Sequence, residues 1–144
     1  MDLKAQAVNV MTSTDIINIS DNRSLCRIAR QCGFEAIEGM EKTVPVVSII
    51  YRDRMNFMGM IHNQCLKLMY SLMEENHPGD PEFANHWNSM NFMGTLIPLK
   101  DGYMMKHETL ASHPLVIGNV ALTLKEFGEA IDRFQDEWFK LTST

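Results

Sequence analysis

The stretch MNFMGMIHNQCLKLMYSLM, residues 55–73, holds the densest apolar pattern in the middle of the chain. Its apolar residues recur at intervals of 3, 4, 3 and 4 along the sequence: Met58, Ile61, Cys65, Leu68 and Leu72. Such spacing places side chains on one face of an α-helix. The pattern therefore predicts a long amphipathic helix over about residues 54–75, which ends at the turn sequence NHPGDP.

Shorter helices are predicted on both sides of this stretch. Residues 22–32 carry apolar side chains at helical spacing after a capping residue, and Gly33 follows where a left-handed residue commonly ends a helix. The segment Glu35–Lys42 predicts a second short helix. Asp80 and Pro81 supply a cap and a first turn, so a further helix is expected to begin there.

The C-terminal segment has the most regular pattern in the chain. Thr123 and Glu126 match a capping box, in which a hydroxyl and a carboxylate accept hydrogen bonds from backbone amides at the start of a helix. Apolar residues then recur at intervals of 3, 4, 3, 4 and 3: Leu124, Phe127, Ile131, Phe134, Trp138 and Leu141. They form an a/d seam of about two and a half heptads. The sequence leaves open whether this seam is packed in the core or covered by a second copy of the chain.

Together these patterns predict a mainly α-helical fold, a compact bundle of about five helices. One small β-hairpin near residues 95–109 is predicted by the turn Asp101–Gly102 between two apolar stretches. Residues 44–51 remain open between strand and helix. Their β-branched content favours a strand, whereas Pro45 suits the first turn of a helix.

Length, composition and charge indicate the domain organisation and disfavour some classes of function. With 144 residues, 45% hydrophobic and 22% charged, the chain is expected to form an N-terminal arm over residues 1–20 and a single helical domain over residues 21–144. The net charge of −5 disfavours broad binding to nucleic acid or to an anionic membrane. No apolar run reaches the roughly 18 residues of a membrane span. The N-terminal residues lack the basic and apolar regions of a secretory signal, so we expect an intracellular protein of the cytoplasm or nucleus.

The sequence carries no signature of catalysis or of cofactor binding. It lacks the patterns G-x-S-x-G, G-x-G-x-x-G, H-E-x-x-H and the P-loop. Cys26, Cys32, His62 and Cys65 include the ligand types of a zinc site, but the spacing of the first two does not match the short turns of compact zinc sites. We therefore expect no enzymatic activity, no cofactor and no metal, and reduced thiols.

The unusual feature of the composition is its 12 methionines, a residue type that suits adaptable binding surfaces. We expect a small interaction or regulatory protein that forms a homodimer through helical apolar faces and also binds another, unidentified protein. This compact character without catalytic motifs would suit a viral or phage accessory protein. The predicted interface combines methionine and the aromatic seam: Met55, Met58, Met90, Phe127, Ile131, Phe134 and Trp138.

An alternative function is suggested by residues 21–42, which resemble a helix-turn-helix. Arg23, Arg27 and Arg30 lie on one face of the first predicted helix, where they could contact phosphates. The resemblance implies a nucleic-acid-binding regulator. The acidic residues of the second predicted helix oppose it, because they would repel phosphate where base contacts are made.

Overall fold

The computed structural model of the chain describes residues 15–52, 55–111 and 114–142. In these ranges the chain forms eight strands and three helices. In chain order they are β1 Ile16–Ile17, α1 Asn22–Gln31, β2 Glu35–Glu41, β3 Val44–Arg52, β4 Met55–His62, β5 Cys65–Met73, α2 Pro81–Met90, β6 Thr95–Leu99, β7 Gly102–Leu110, β8 Leu115–Val116 and α3 Ile117–Thr142.

Most of the strands belong to one antiparallel sheet. Its six strands lie in the order β2-β3-β4-β5-β7-β6, and β1 pairs separately with β8. The prediction of a mainly α-helical bundle of about five helices is therefore wrong. A six-stranded sheet with three helices among the described residues replaces it.

The largest difference concerns residues 55–73, which form the hairpin β4–β5 and not a helix. A two-residue turn joins the strands at Asn63 and Gln64, whose φ angles of 50° and 62° match the type I′ turn of tight hairpins. Apolar residues occupy both faces of these strands, so the alternation that normally marks a strand is hidden. The residues at intervals of 3 and 4 are thus divided between the two faces of the sheet: Met58 and Cys65 lie on one face, and Ile61, Leu68 and Leu72 lie on the other.

The N-terminal half contains a second correction. Residues 35–41 form β2, which pairs in antiparallel register with β3, so the short helix predicted over Glu35–Lys42 is wrong. The open question at residues 44–51 is answered by β3, a strand that pairs on both sides. Its Pro45 lies opposite Met40 of β2. The β-branched content of this segment therefore outweighed the helix-starting proline.

Three local predictions are confirmed. The helix α1 begins after Asp21, whose side chain accepts a 2.8 Å hydrogen bond from the Ser24 amide. Asp80 caps α2 in the same way, with a bond of 2.9 Å from the Glu82 amide. The hairpin predicted near residues 95–109 is formed by β6 and β7, although it belongs to the large sheet.

The last helix begins earlier than predicted. It starts at Ile117, and Thr123 lies inside it with its hydroxyl donating to the carbonyl of Asn119 at 2.8 Å. The capping-box prediction at Thr123 is wrong, because a threonine inside a helix can bond back to the preceding turn as well as cap a new one. The apolar periodicity of the seam itself is helical, as predicted.

All three helices pack on one face of the sheet, which we call the inner face. Phe57 of β4 contacts Phe127 of α3 with ring centroids 5.1 Å apart. A β-carbon added at Gly59 of β4 would lie 3.1 Å from the Leu25 side chain of α1. The fold is thus a two-layer arrangement, in which the helices and the inner face enclose the core.

Candidate interaction surface

The aromatic seam of α3 lies within the core. Phe127, Ile131 and Phe134 are 0% exposed and Trp138 is 7% exposed. The seam packs on residues of the same chain, with ring centroids of Trp87 and Phe134 separated by 5.9 Å. The seam is therefore part of the core of the single chain. A homodimer that forms through an apolar surface must use a surface other than this seam.

The three methionines predicted for the interface do not lie on one common surface. Met58 lies in the middle of β4, on the face of the sheet opposite to the helices. Met90 is the last residue of α2 and is 68% exposed. Met55 begins β4, but its side chain lies outside the described residues. Of the three, Met58 marks the larger apolar surface.

That surface is the outer face of the sheet, defined by the residues that alternate with the core residues along each strand. Met58 lies directly opposite Met69 of β5 at the centre of the sheet. Further apolar residues surround this pair: Ile37, Val46, Ile50, Met60, Ile97 and Met104. Most of them are partly exposed, and Ile37 is 59% exposed. In the described ranges, no helix packs over them.

The outer face has the dimensions of a protein–protein interface. Six strands spaced about 4.8 Å apart give a width of about 29 Å, and about eight residues per strand give a length of about 27 Å. The resulting area of about 780 Å² is close to the roughly 800 Å² that each partner contributes to a standard interface. This area covers the whole face, including its charged sides, and the exposed apolar residues grouped at its centre are of the kind that commonly marks a binding site.

Charges on the outer face are distributed unequally between its two sides. Glu35 and Glu41 lie on β2, at one edge of the sheet. Lys67 of β5 and Lys106 of β7 lie on the other half, where Glu108 faces Lys67 across the strands. The Met58–Met69 pair between them is uncharged, and Lys106 lies opposite Met69. A two-fold axis parallel to the strands at the centre of the sheet would place Lys106 of one copy over β3 of the other, next to the acidic strand β2.

The residues considered for a zinc site do not come together. Cys26 and Cys32 are buried on the core side of α1, whereas His62 and Cys65 face each other at the tip of the β4–β5 hairpin. Burial raises the pKa of the Cys32 thiol to about 12. Among the described residues, no group of three or more His, Cys, Asp or Glu side chains is arranged to hold a metal ion.

The arginine stripe is present, but its helix-turn-helix context is not. Arg23 and Arg27 are exposed on α1, and the Arg30 guanidinium donates to the carbonyl of Ala36 at 2.9 Å. The second helix of the resemblance is the strand β2. Residues 21–42 therefore offer no recognition helix, because the segment that should form it is paired in a sheet.

Sequence reasoning missed most of the outer face, including Met60, Met69 and Met104. The signal that could have revealed it was the turn at Asn63 and Gln64, because asparagine tolerates the positive φ of a tight hairpin. With a turn at these two residues, the segments on either side are strands, in which successive side chains lie on opposite faces. This alternation assigns Met58, Met60 and Met69 to one face and the core residues to the other.

Comparisons with known proteins give no family assignment. None of the helices in the described part of the chain is both long enough and apolar enough to cross a membrane. Searches with protein-family models, among curated proteins and among solved structures found no match to this chain.

Proposed function

We propose that this protein is a small, non-enzymatic interaction and regulatory protein that forms a homodimer through the outer face of its sheet. The observation that carries the proposal is the pairing of Met58 with Met69 at the centre of an apolar face of interface size. The unequal charges on its two sides favour a second copy as the occupant, because a two-fold axis along the strands brings Lys106 of one copy to the strand beside the acidic β2 of the other. An intracellular location suits the three free thiols.

In the proposed dimer, the outer faces of the two copies pack against each other as two β-sheets. Two sheets packed face to face lie about 10 Å apart, with side chains from both faces filling the space. Methionine suits such a contact because its unbranched side chain adapts to the opposing surface. With the axis at the centre of the sheet, Met58 of one copy meets Met69 of the partner.

We expect that Met69→Glu converts the dimer into a folded monomer. The new carboxylate of each copy would be desolvated at the centre of the dimer, and burying a charge costs free energy even when Lys106 lies opposite it. In the monomer it would lie opposite Lys106 on the neighbouring strand, so the fold should be retained. Light scattering should give a mass near twice 16.5 kDa for the wild type and near 16.5 kDa for the variant.

The matched control is Leu122→Glu, which places the same charge on the solvent side of α3, where Leu122 is 41% exposed. It should remain a dimer. A wild-type protein that stays monomeric at high concentration would refute the proposal. A dimer that survives Met69→Glu would place the interface elsewhere on the molecule.

A further inference from the structure

The two edges of the six-stranded sheet differ in how they are covered. At the β6 edge, the Asn88 side chain of α2 donates to the carbonyl of Leu96 at 3.0 Å and accepts from its amide at 2.8 Å. The Gly79 amide bonds the carbonyl of Leu99 at 2.7 Å. Pro98 also has no amide proton to offer. This edge is therefore closed to a further strand.

The β2 edge presents a longer and more open strand. Of its seven residues, Ala36 alone is buried, and Met40 is 61% exposed. The Ala36 carbonyl is directed away from β3, since it accepts from Arg30. Met40 lies opposite Pro45, which has no amide to donate to it. Since outward groups recur at every second residue, Glu38 and Met40 direct their amides and carbonyls to the side away from β3, where none of the described strands lies.

The negative charge of the β2 edge favours a basic binding partner. Glu35, Glu38 and Glu41 are all exposed, and β2 contains no basic residue. Antiparallel pairing of two β2 strands would bring these carboxylates together, and like charges on adjacent strands destabilise a sheet. A second copy is therefore a poor occupant, whereas a strand with alternating basic residues is complementary.

A groove continues this edge toward the start of α1. Its volume is about 520 Å³, and it is lined by Glu38 of β2, by apolar side chains that include Val44 and Ile61, and by Asp21 and Arg23 of α1. Side chains of an added strand alternate in direction, so every second one would be directed to the groove side of β2. The groove can thus receive an apolar or basic side chain beside a carboxylate.

We propose that β2 binds an extended basic segment of another protein, which joins the sheet as a seventh strand. Backbone hydrogen bonds to Glu38 and Met40 hold the segment, and its basic side chains pair with the acidic residues of the edge. The Arg30 contact at Ala36 limits the open ladder to the part of β2 beyond that residue. The backbone groups of this site, at Glu38 and Met40, do not belong to the outer-face dimer, although Glu35 and Glu41 border both surfaces.

The proposal is tested with a labelled, capped peptide of sequence Lys-Val-Lys-Val-Lys-Val-Lys, whose binding is followed by fluorescence anisotropy at low salt. Met40→Pro removes one outward amide without removing a bond to β3, and should weaken binding by about tenfold. Met40→Ala keeps the amide and should bind as the wild type does. Glu38→Gln, which changes an acidic residue of this edge that does not lie on the outer face, should weaken binding and reduce its dependence on salt.

Two controls separate strand addition from simple charge attraction. A peptide with proline in place of each valine has the same charge but cannot form the ladder, and it should not bind. The Met69→Glu variant should bind the first peptide as the wild type does, whichever oligomer it forms. The proposal is overturned by the absence of binding to wild type, by equal binding of both peptides, or by full binding to a folded Met40→Pro variant.

Discussion

Phe134→Ala should lower the free energy of unfolding by about 3–5 kcal/mol, the usual cost of removing a buried aromatic ring. Phe134 is 0% exposed. Its ring centroid lies 5.5 Å from that of Tyr103 and 5.9 Å from that of Trp87. Truncation therefore removes contacts to α2 and to the sheet and leaves a cavity among rigid rings. Urea denaturation followed by circular dichroism measures the change.

The control for this prediction is Phe139→Ala in the same helix. Phe139 is 61% exposed, so its loss should change the free energy of unfolding by about 0.5 kcal/mol or less. An equal and small loss in both variants would contradict the position of α3 against the sheet. It would also return the seam to the role of an interface, because truncating an interface residue leaves the monomer stable.

Gly102→Ala should lower the free energy of unfolding by about 3 kcal/mol, from backbone strain and a steric clash together. Gly102 begins β7 with a φ of +147°, a value that residues with a side chain rarely adopt. A β-carbon there would also clash with the carbonyl oxygen of Leu72 in β5. The strands must shift or separate to admit it, and thermal or urea denaturation would detect the loss.

Gly39→Ala is the matched control, since it makes the same change in another strand. A β-carbon at Gly39 would meet no atom within 4 Å. We expect this variant to equal or slightly exceed the wild type in stability, because alanine restricts the unfolded chain more than glycine does. Equal stability of the two alanine variants would contradict the close approach of β5 and β7 at Gly102.

The sequence predicted the elements that depend on local interactions. The caps at Asp21 and Asp80 and the apolar period of α3 are set by neighbours a few residues apart, and each is present in the structure. The β6–β7 hairpin belongs to the same group, because the Asp101–Gly102 signature that predicted it is local. The turn lies one residue earlier than predicted, at Lys100 and Asp101, since Gly102 begins β7 and pairs with Leu99. Structural elements that depend on interactions between residues close in the sequence can therefore be predicted from a single sequence.

The central sheet could not be predicted in this way because its strands are apolar on both faces. Methionines such as Met58 and Met69 occupy outer positions where most sheets carry polar residues. Without polar alternation, a short apolar run cannot be assigned to strand or helix by its period. Its turn at Asn63 and Gln64 lacks the glycine that usually announces a hairpin.

The candidate site was missed for the same reason. The outer face is defined by pairing between strands distant in sequence, such as Met69 with Lys106, and no local pattern encodes that register. The aromatic seam of α3 is as apolar as the outer face and has a more regular spacing in the sequence, so the interface was predicted there. Only the sheet beneath it shows that its surface is already covered.

Cross-linking at Cys65 tests the proposed dimer most directly. Cys65 begins β5, one of the two central strands, and lies opposite His62 at the tip of the β4–β5 hairpin, whereas Cys26 of α1 and Cys32 just after it are buried. A central two-fold axis along the strands brings the two Cys65 thiols of a dimer near each other, within reach of a short bismaleimide. The predicted result is a cross-linked dimer at low protein concentration that is lost in Cys65→Ser and in Met69→Glu. A light-scattering dimer that gives no Cys65 cross-link would contradict the outer face as its interface.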